Sequence, residues 1–358
     1  MTGVRARGED IRRFILNHVE EHPKDVSKLA ADHFGITRQA VNKHLQKLTA
    51  EHALAETGNT RNRTYKLASL SEWRRIYEIS PGVTEGGVWA TDIRAVLGQL
   101  PENVLSIWQY GFTEMFNNAI DHSDGTAISV TISKTAANTE MLMHDNGVGI
   151  FKKIQTALGL LDERHAVLEL AKGKFTTDPK NHTGEGIFFS SRMFDKFRIL
   201  SGGVFFSHDF GDDEDWILAG AEQKGTYVRM QLSNHTARAM TKIFDQFSSG
   251  DDYGFNKTIV PVELAQYGDD KLISRSQAKR LLARIELFKT VMLDFSGVEV
   301  IGQAFADEIF RVFSNAHPEI ELIPIHANSA VKRMTERAKA GAAKRAGARV
   351  AFRKTDAA

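Results

Sequence analysis

In FTEMFNNAIDHS, Glu114 and Asn118 stand four residues apart within a stretch that is otherwise apolar at helical spacing. That spacing stacks a carboxylate and an amide on one helix face. Each polar group withdrawn from water without a partner costs about 1–3 kcal/mol, so a core helix carrying both needs something to occupy them. Two glycine clusters lie downstream. In MLMHDNGVGI, Asp145 directly follows a strand-like run and precedes Gly147 and Gly149. An aspartate there accepts a hydrogen bond from an exocyclic amine, and the glycines let backbone approach a flat ring, although the same residues equally make a plain turn. In HTGEGIFFSSRMFD, Gly184 and Gly186 lead into an apolar helical stretch. Free N–H groups at such a helix start cradle phosphate, and a structural turn is again the alternative. The segment between the clusters, LDERHAVLELAKGKFTTDPKNHT, is polar and long enough to include a mobile lid over a bound nucleotide.

In this order, ExxxN on a helix, DxGxG after a strand and GxG before a helix closely resemble the motif boxes of the gyrase, histidine-kinase, mismatch-repair and heat-shock chaperone (GHKL) ATPase superfamily. The resemblance covers roughly 88–232, and KGTYVRMQL is similar to its terminal Gly-Thr strand. It implies an ATP site with Mg²⁺. Asn118 then corresponds to the magnesium-binding asparagine, Asp145 to the adenine-reading aspartate and Gly147 and Gly149 to the nucleotide-contacting glycines. Gly184 and Gly186 correspond to the phosphate loop, Thr226 to the threonine near the adenine pocket, and Glu114 to the general base of the hydrolysing branches. The chemistry is compatible, because hard Mg²⁺ accepts an amide oxygen and bridges phosphates, while a carboxylate one turn away orients water. His122, on the same helix, is expected to shape the pocket edge rather than to accept a phosphoryl group.

The elements that must position these residues are legible in outline. Val88 to Leu232 reads as an α/β sandwich with helices on one face of a mixed sheet, its strands in AISVTISK, EMLMHD, FRILSG and GTYVRMQL. Ahead of it, Glu9–His22, Val26–Phe34 and Arg38–His52 read as helices, the last capped by Thr37, and ALAETGNTRNRTYKL reads as a basic hairpin. This order is that of a winged helix-turn-helix, and GITRQAVNKHLQKL closely resembles the turn and recognition helix of bacterial winged-helix regulators. Val41, Leu45 and Leu48 share the buried face of the third helix, which leaves Arg38, Gln39, Asn42 and Lys43 to meet base edges and Arg61, Arg63 and Lys66 of the hairpin to meet phosphates. A small protein-docking domain with a solvated basic face is the alternative. The expected organisation is a DNA-binding unit at 1–69, a linker at 70–87 that starts as a polar helix, and the ATP-binding unit at 88–232.

Beyond it, 253–326 follows a β-α-β-α order, and LDFSGVEVIGQAFADEIFRVF resembles STAS-like domains. Phosphorylatable relatives open the helix after the strand with a serine, whereas Gly302, Gln303 and Ala304 stand there, so a docking or dimerising module is expected in place of a phosphorylation switch. Residues 331–358, rich in Lys, Arg, Ala and Gly, read as a solvated basic tail.

A chain of 358 residues exceeds a single core, and 25% charged against 42% hydrophobic residues is an ordinary folded composition. The fold class expected is therefore multidomain α+β. With a net charge of +1, nucleic-acid affinity has to come from local clusters, and the absence of cysteine removes disulfides and thiolate metal sites. No apolar run is long enough for a bilayer and the opening MTGVRARGEDIRR has no signal core, so no membrane partner and a cytoplasmic location are expected. The functional expectation is a transcription regulator whose DNA binding is controlled by Mg-ATP binding and slow hydrolysis, with a homodimer and a protein partner for the STAS-like unit as further expectations. An anti-sigma-type serine kinase and an ATP-gated interaction scaffold are the alternatives.

Overall fold

The computed structural model describes residues 2–59, 62–175, 184–211, 216–248, 254–266 and 271–340. The N-terminal unit comprises α1 (Thr2–His18), α2 (Val26–Phe34), α3 (Arg38–Ala50) and the hairpin β1 (Leu54–Thr57) and β2 (Thr64–Leu67). Gly35 ends α2 in the left-handed conformation at φ 61°, and the Thr37 hydroxyl starts α3 by accepting the Ala40 N–H at 3.2 Å. Ile15, Val41 and Leu45 are fully buried at its centre, and Leu54 and Leu67 close it from the hairpin.

The central unit is a five-stranded sheet in the order β3-β4-β5-β7-β6. Its strands are β3 (Ser71–Glu78), β4 (Ala127–Lys134), β5 (Asn138–Asp145), β6 (Lys196–Asp209) and β7 (Trp216–Ser233). Every neighbouring pair is antiparallel, so the expected mixed sheet is corrected. The stretch expected to be a linker is corrected as well, because its 71–78 portion is edge strand β3, paired along its length with β4. Only Trp73 and Tyr77 of β3 turn toward the core, and an edge strand exposing its other face carries the charge density that suggested a solvated helix. Between β3 and β4 run α4 (Glu85–Val88), a π-helical turn at Trp89–Ile93, α5 (Arg94–Leu97) and the long α6 (Glu102–His122). These two helical passes return the chain to the end it left, where Ile79 N–H meets Thr126 O at 2.9 Å, and so impose the antiparallel pairing.

After β5 come α7 (Ile150–Leu158), α8 (Arg164–Lys172) and α9 (Gly186–Met193), and α10 (Met240–Phe247) follows β7. On α6, Trp108, Phe112 and Phe116 are fully buried against the sheet. Burying each stabilises the fold by roughly 1.5–3 kcal/mol, which fixes which face α6 turns away from the core.

The C-terminal unit is a parallel three-stranded sheet in the order β10-β9-β8, from β8 (Lys257–Pro261), β9 (Thr290–Asp294) and β10 (Glu321–Ile325). Its helices are α11 (Arg275–Leu282), α12 (Gln303–Asp307) running into a π-helical stretch at Glu308–Phe313, and α13 (Ser314–Ala316). Its apolar residues join those of the central unit in one continuous core. The solvated tail expected from residue 331 is corrected in its first part: 329–340 is a helix, with Val331, Thr335 and Ala338 buried. The remaining tail positions, 341–358, lie outside the described residues. Among the Lys and Arg lies a mostly apolar stripe, Val331, Met334, Thr335 and Ala338, at the spacing of one helix face. A carboxylate placed on that stripe has no water to solvate it. Val331→Asp is expected to destabilise the protein by about 2 kcal/mol or more, and Lys332→Asp, on the exposed face, by under about 0.5 kcal/mol, as read from denaturation midpoints.

Candidate functional site

A cavity of about 330 Å³ opens between α6, the end of β5, α7, the start of α9 and the pocket end of β7. Glu114, Asn118, Asp145, Gly184, Gly186 and Thr226 all line it. Residues from four separate segments of the sequence thus face one space. His122 lines it too, at the position expected of it.

Each lining group is placed by a definite local cause. Glu114, Asn118 and His122 follow one another at single-turn spacing along the half-buried stripe of α6, the face that does not pack on the sheet. Asp145 ends β5 in register with Thr226 on β7. The carboxylate accepts the Gly147 N–H at 2.9 Å and the Thr226 hydroxyl, whose oxygen in turn accepts the Ile150 N–H at 3.0 Å. Asp145 is buried, and burial pushes its carboxyl up from the usual range despite these hydrogen bonds, which pull it down. Asn146 holds backbone rather than lining the cavity. Its side-chain oxygen accepts the Thr126 and Ala127 N–H groups at 2.8 and 3.1 Å and pins the start of β4 beside the end of β5.

Gly147 and Gly149 support this cavity and are not among its lining residues. Gly147 packs so closely on the preceding loop that a Cβ there would lie 2.0 Å from the backbone oxygen of Ser123. Gly149 caps the N-terminus of α7. Gly186 is the first residue of α9, and a Cβ on it would lie 1.9 Å from Glu114 Oε2, so the glycine turn sits directly against the α6 carboxylate. Glu185 lies within the same turn, and burial pushes its carboxyl up, opposed by Lys174. The Tyr110 hydroxyl is pushed up by burial and then by the Glu114 and Glu185 carboxylates.

Sequence reading missed the walls and one cation. Ile150, Ile154, Ile199 and Val228 supply flat apolar surface. Lys153 also lines the cavity and pairs with Asp124 at 2.8 Å. Its only sequence signal was its position in the first turns of the amphipathic helix that follows the DNGVG turn. The segment expected to include a mobile lid is described only in part. Helix α8 (Arg164–Lys172) lies within it and is buried from 165 to 172, and its residues 176–183 lie outside the described residues.

The second group of predicted residues lies on the N-terminal unit. Arg38, Gln39, Asn42 and Lys43 are all exposed near the N-terminus of α3, on the face opposite Val41, Leu45 and Leu48. Arg63 is half-buried and pairs with Glu56 at 3.4 Å, and Arg61 lies outside the described residues. Among the described residues no helix is long and apolar enough to cross a membrane.

Residues 277–332 match the STAS-like domain of unknown function (DUF4325). The match runs from within α11 to the closing helix, so the C-terminal unit contains a STAS-like domain. No curated protein matches the chain. Within this unit Gly302 caps α12, and Ser296 donates both its N–H and its hydroxyl to Asp294 Oδ1 in the turn after β9.

Replacing the two close-packed glycines separates backbone packing from side-chain placement. Gly147→Ala meets fixed backbone and is expected to cost about 1–3 kcal/mol. Gly186→Ala meets chiefly the movable end of Glu114 and is expected to lower the thermal midpoint less while displacing that carboxylate; calorimetry and a variant crystal structure check both.

Proposed function

We propose that the chain is a nucleotide-responsive DNA-binding regulator whose central unit is a GHKL-type ATP site and whose N-terminal unit is a winged helix. The convergence of Glu114, Asn118, Asp145, Gly184, Gly186 and Thr226 on one cavity carries this reading. A buried acceptor at the end of β5, flanked by apolar walls, suits an amino-substituted flat ring, and the glycine turn before α9 suits phosphates.

The charge at the phosphate end supports Mg²⁺ as the companion of the nucleotide. Glu114 and Glu185 would repel a polyphosphate brought against the turn unless a cation lay between them. Among the described residues no group of three or more His, Cys, Asp or Glu side chains forms a metal cage of its own. That fits Mg²⁺, which is commonly held by substrate phosphates, water and one or two side chains, here Asn118 and Glu114. When bound, it neutralises phosphate charge. Glu114, one turn from Asn118, is then placed to orient water.

The DNA side rests on α3, whose outward Arg38, Gln39, Asn42 and Lys43 present bidentate and cationic donors together. A physical link joins the two sites. Ala136 and Ala137, in the β4–β5 turn, pack into the N-terminal core, and β5 runs from that turn to Asp145. At about 3.3 Å per residue, the strand spans roughly 25 Å between the two units.

A fluorescent ATP analogue with Mg²⁺ is expected to bind the wild type, and Asp145→Ala to weaken it at least about tenfold, the loss of about 1.4 kcal/mol; equal binding by the variant would remove the site. Selection of DNA fragments with and without nucleotide should recover a sequence whose affinity changes by a coupling of about 1–3 kcal/mol, and Lys43→Ala should weaken that binding. The STAS-like domain gives some weight to a second reading, an anti-sigma-type kinase acting on a serine of another protein. Transfer of labelled γ-phosphate to protein would favour it, and release as free phosphate only, abolished by Glu114→Gln, would favour the regulator.

A further inference from the structure

Helix α8 has two working faces. Leu170 lines the cavity, as does Phe175 just beyond the helix end. Glu169 and Lys172, on the same helix, serve the STAS-like unit. The Lys172 ammonium is 1% exposed and donates to Glu169 Oε1 at 2.8 Å and to the carbonyls of Arg280 and Ala283 at 3.1 and 2.7 Å. Its own carbonyl accepts the Thr258 hydroxyl at 2.7 Å.

One side chain of the STAS-like unit gathers the rest of this wall. Arg284, in the left-handed conformation at φ 63° just after α11, donates to Glu169 Oε2 at 3.1 Å and to the Lys174 carbonyl at 2.6 Å. Its guanidinium also lies 4.9 Å from the centre of the Phe175 ring. A planar, five-donor cation is suited to hold a carboxylate, a carbonyl and an aromatic face at once, which a lysine ammonium is not. Lys174, in turn, donates to the Leu287 carbonyl at 3.0 Å and lies over Phe288, so residues 172–175 are held by several contacts to the STAS-like unit.

We propose that Arg284 is a positioning residue for the cavity: by holding Glu169, Lys174 and Phe175 it sets the α8 wall, so that cavity occupancy and seating of the STAS-like unit are one equilibrium. The identity of the cavity ligand rests on the nucleotide reading above; the clamping of the wall does not. By linkage, whatever strengthens one contact strengthens the other by the same factor. A partner that draws the STAS-like unit away from α8 lowers affinity at a cavity it never touches.

The test uses the full chain and two readouts. In ligand-free protein, Arg284→Ala is expected to speed hydrogen exchange across 166–175 by about tenfold or more, with Arg284→Lys between it and the wild type; unchanged exchange overturns the proposal whatever the ligand is. With the Mg²⁺-bound fluorescent ATP analogue, Arg284→Ala is expected to bind about tenfold more weakly, and saturating analogue should slow exchange at 280–288 in the wild type but not in the variant. Wild-type binding with equal affinity in the variant, or protection of 280–288 retained there, overturns the coupling. If the wild type binds no nucleotide at all, the nucleotide reading falls, and the exchange measurement alone decides the clamp.

Discussion

The cavity depends on the register between β5 and β7. Asp145 and Thr226 face each other across that pair, and the hydrogen-bond chain from Ile150 through Thr226 to Asp145 exists only in that register. Side chains alternate along a strand, so a slip of one residue would turn the carboxylate to the opposite face of the sheet. Met141, Met143, Val228 and Met230 oppose such a slip, because they would leave the core together with it. The apolar face of the sheet thus holds the polar site in place, and the energy that positions Asp145 is mostly hydrophobic.

The same division of labour operates on α6 and across the unit boundary. Aromatic residues anchor α6 on the sheet and thereby aim Glu114 and Asn118 at the cavity. At the boundary, a continuous apolar core supplies the attraction, while Lys172, Glu169 and Arg284 supply direction. Burial pushes the Lys172 ammonium down from its usual range, opposed by the Glu169 carboxylate. Buried ion pairs contribute little net stability, since desolvation offsets most of the attraction, but removing one partner strands the other. This network therefore selects one seating of the STAS-like unit on α8 more than it tightens it.

Much of the fold was legible where local spacing carried it. The bounds of α2, the strand pattern of β4 and the β-α-β-α order of the C-terminal unit follow from periodicity and punctuation by Gly and Pro. Two stretches differ from the expectation for a common reason, that charge is not by itself a sign of solvent. On β3 the charges belong to the open face of an edge strand, and on the helix over 329–340 they flank a buried stripe; on α8, Glu169 and Lys172 are themselves buried. The carbonyls that Lys172 and Lys174 reach in the STAS-like unit lie 108 to 113 positions away, a separation that no window of sequence can span.

By itself, then, the sequence determined which residue types stand at helical and turn spacing: a carboxylate and an amide one turn apart, glycines before a helix, and an outward basic face on α3. These are properties of neighbours along the chain, fixed by backbone geometry. Tertiary structure alone decided that the helix, strand-end and turn motifs face a common cavity, that β3 completes the sheet, and that the STAS-like unit reaches the cavity wall through Arg284. Those outcomes turn on desolvation and on partners distant in sequence, and burial of a charge is set by what packs over it.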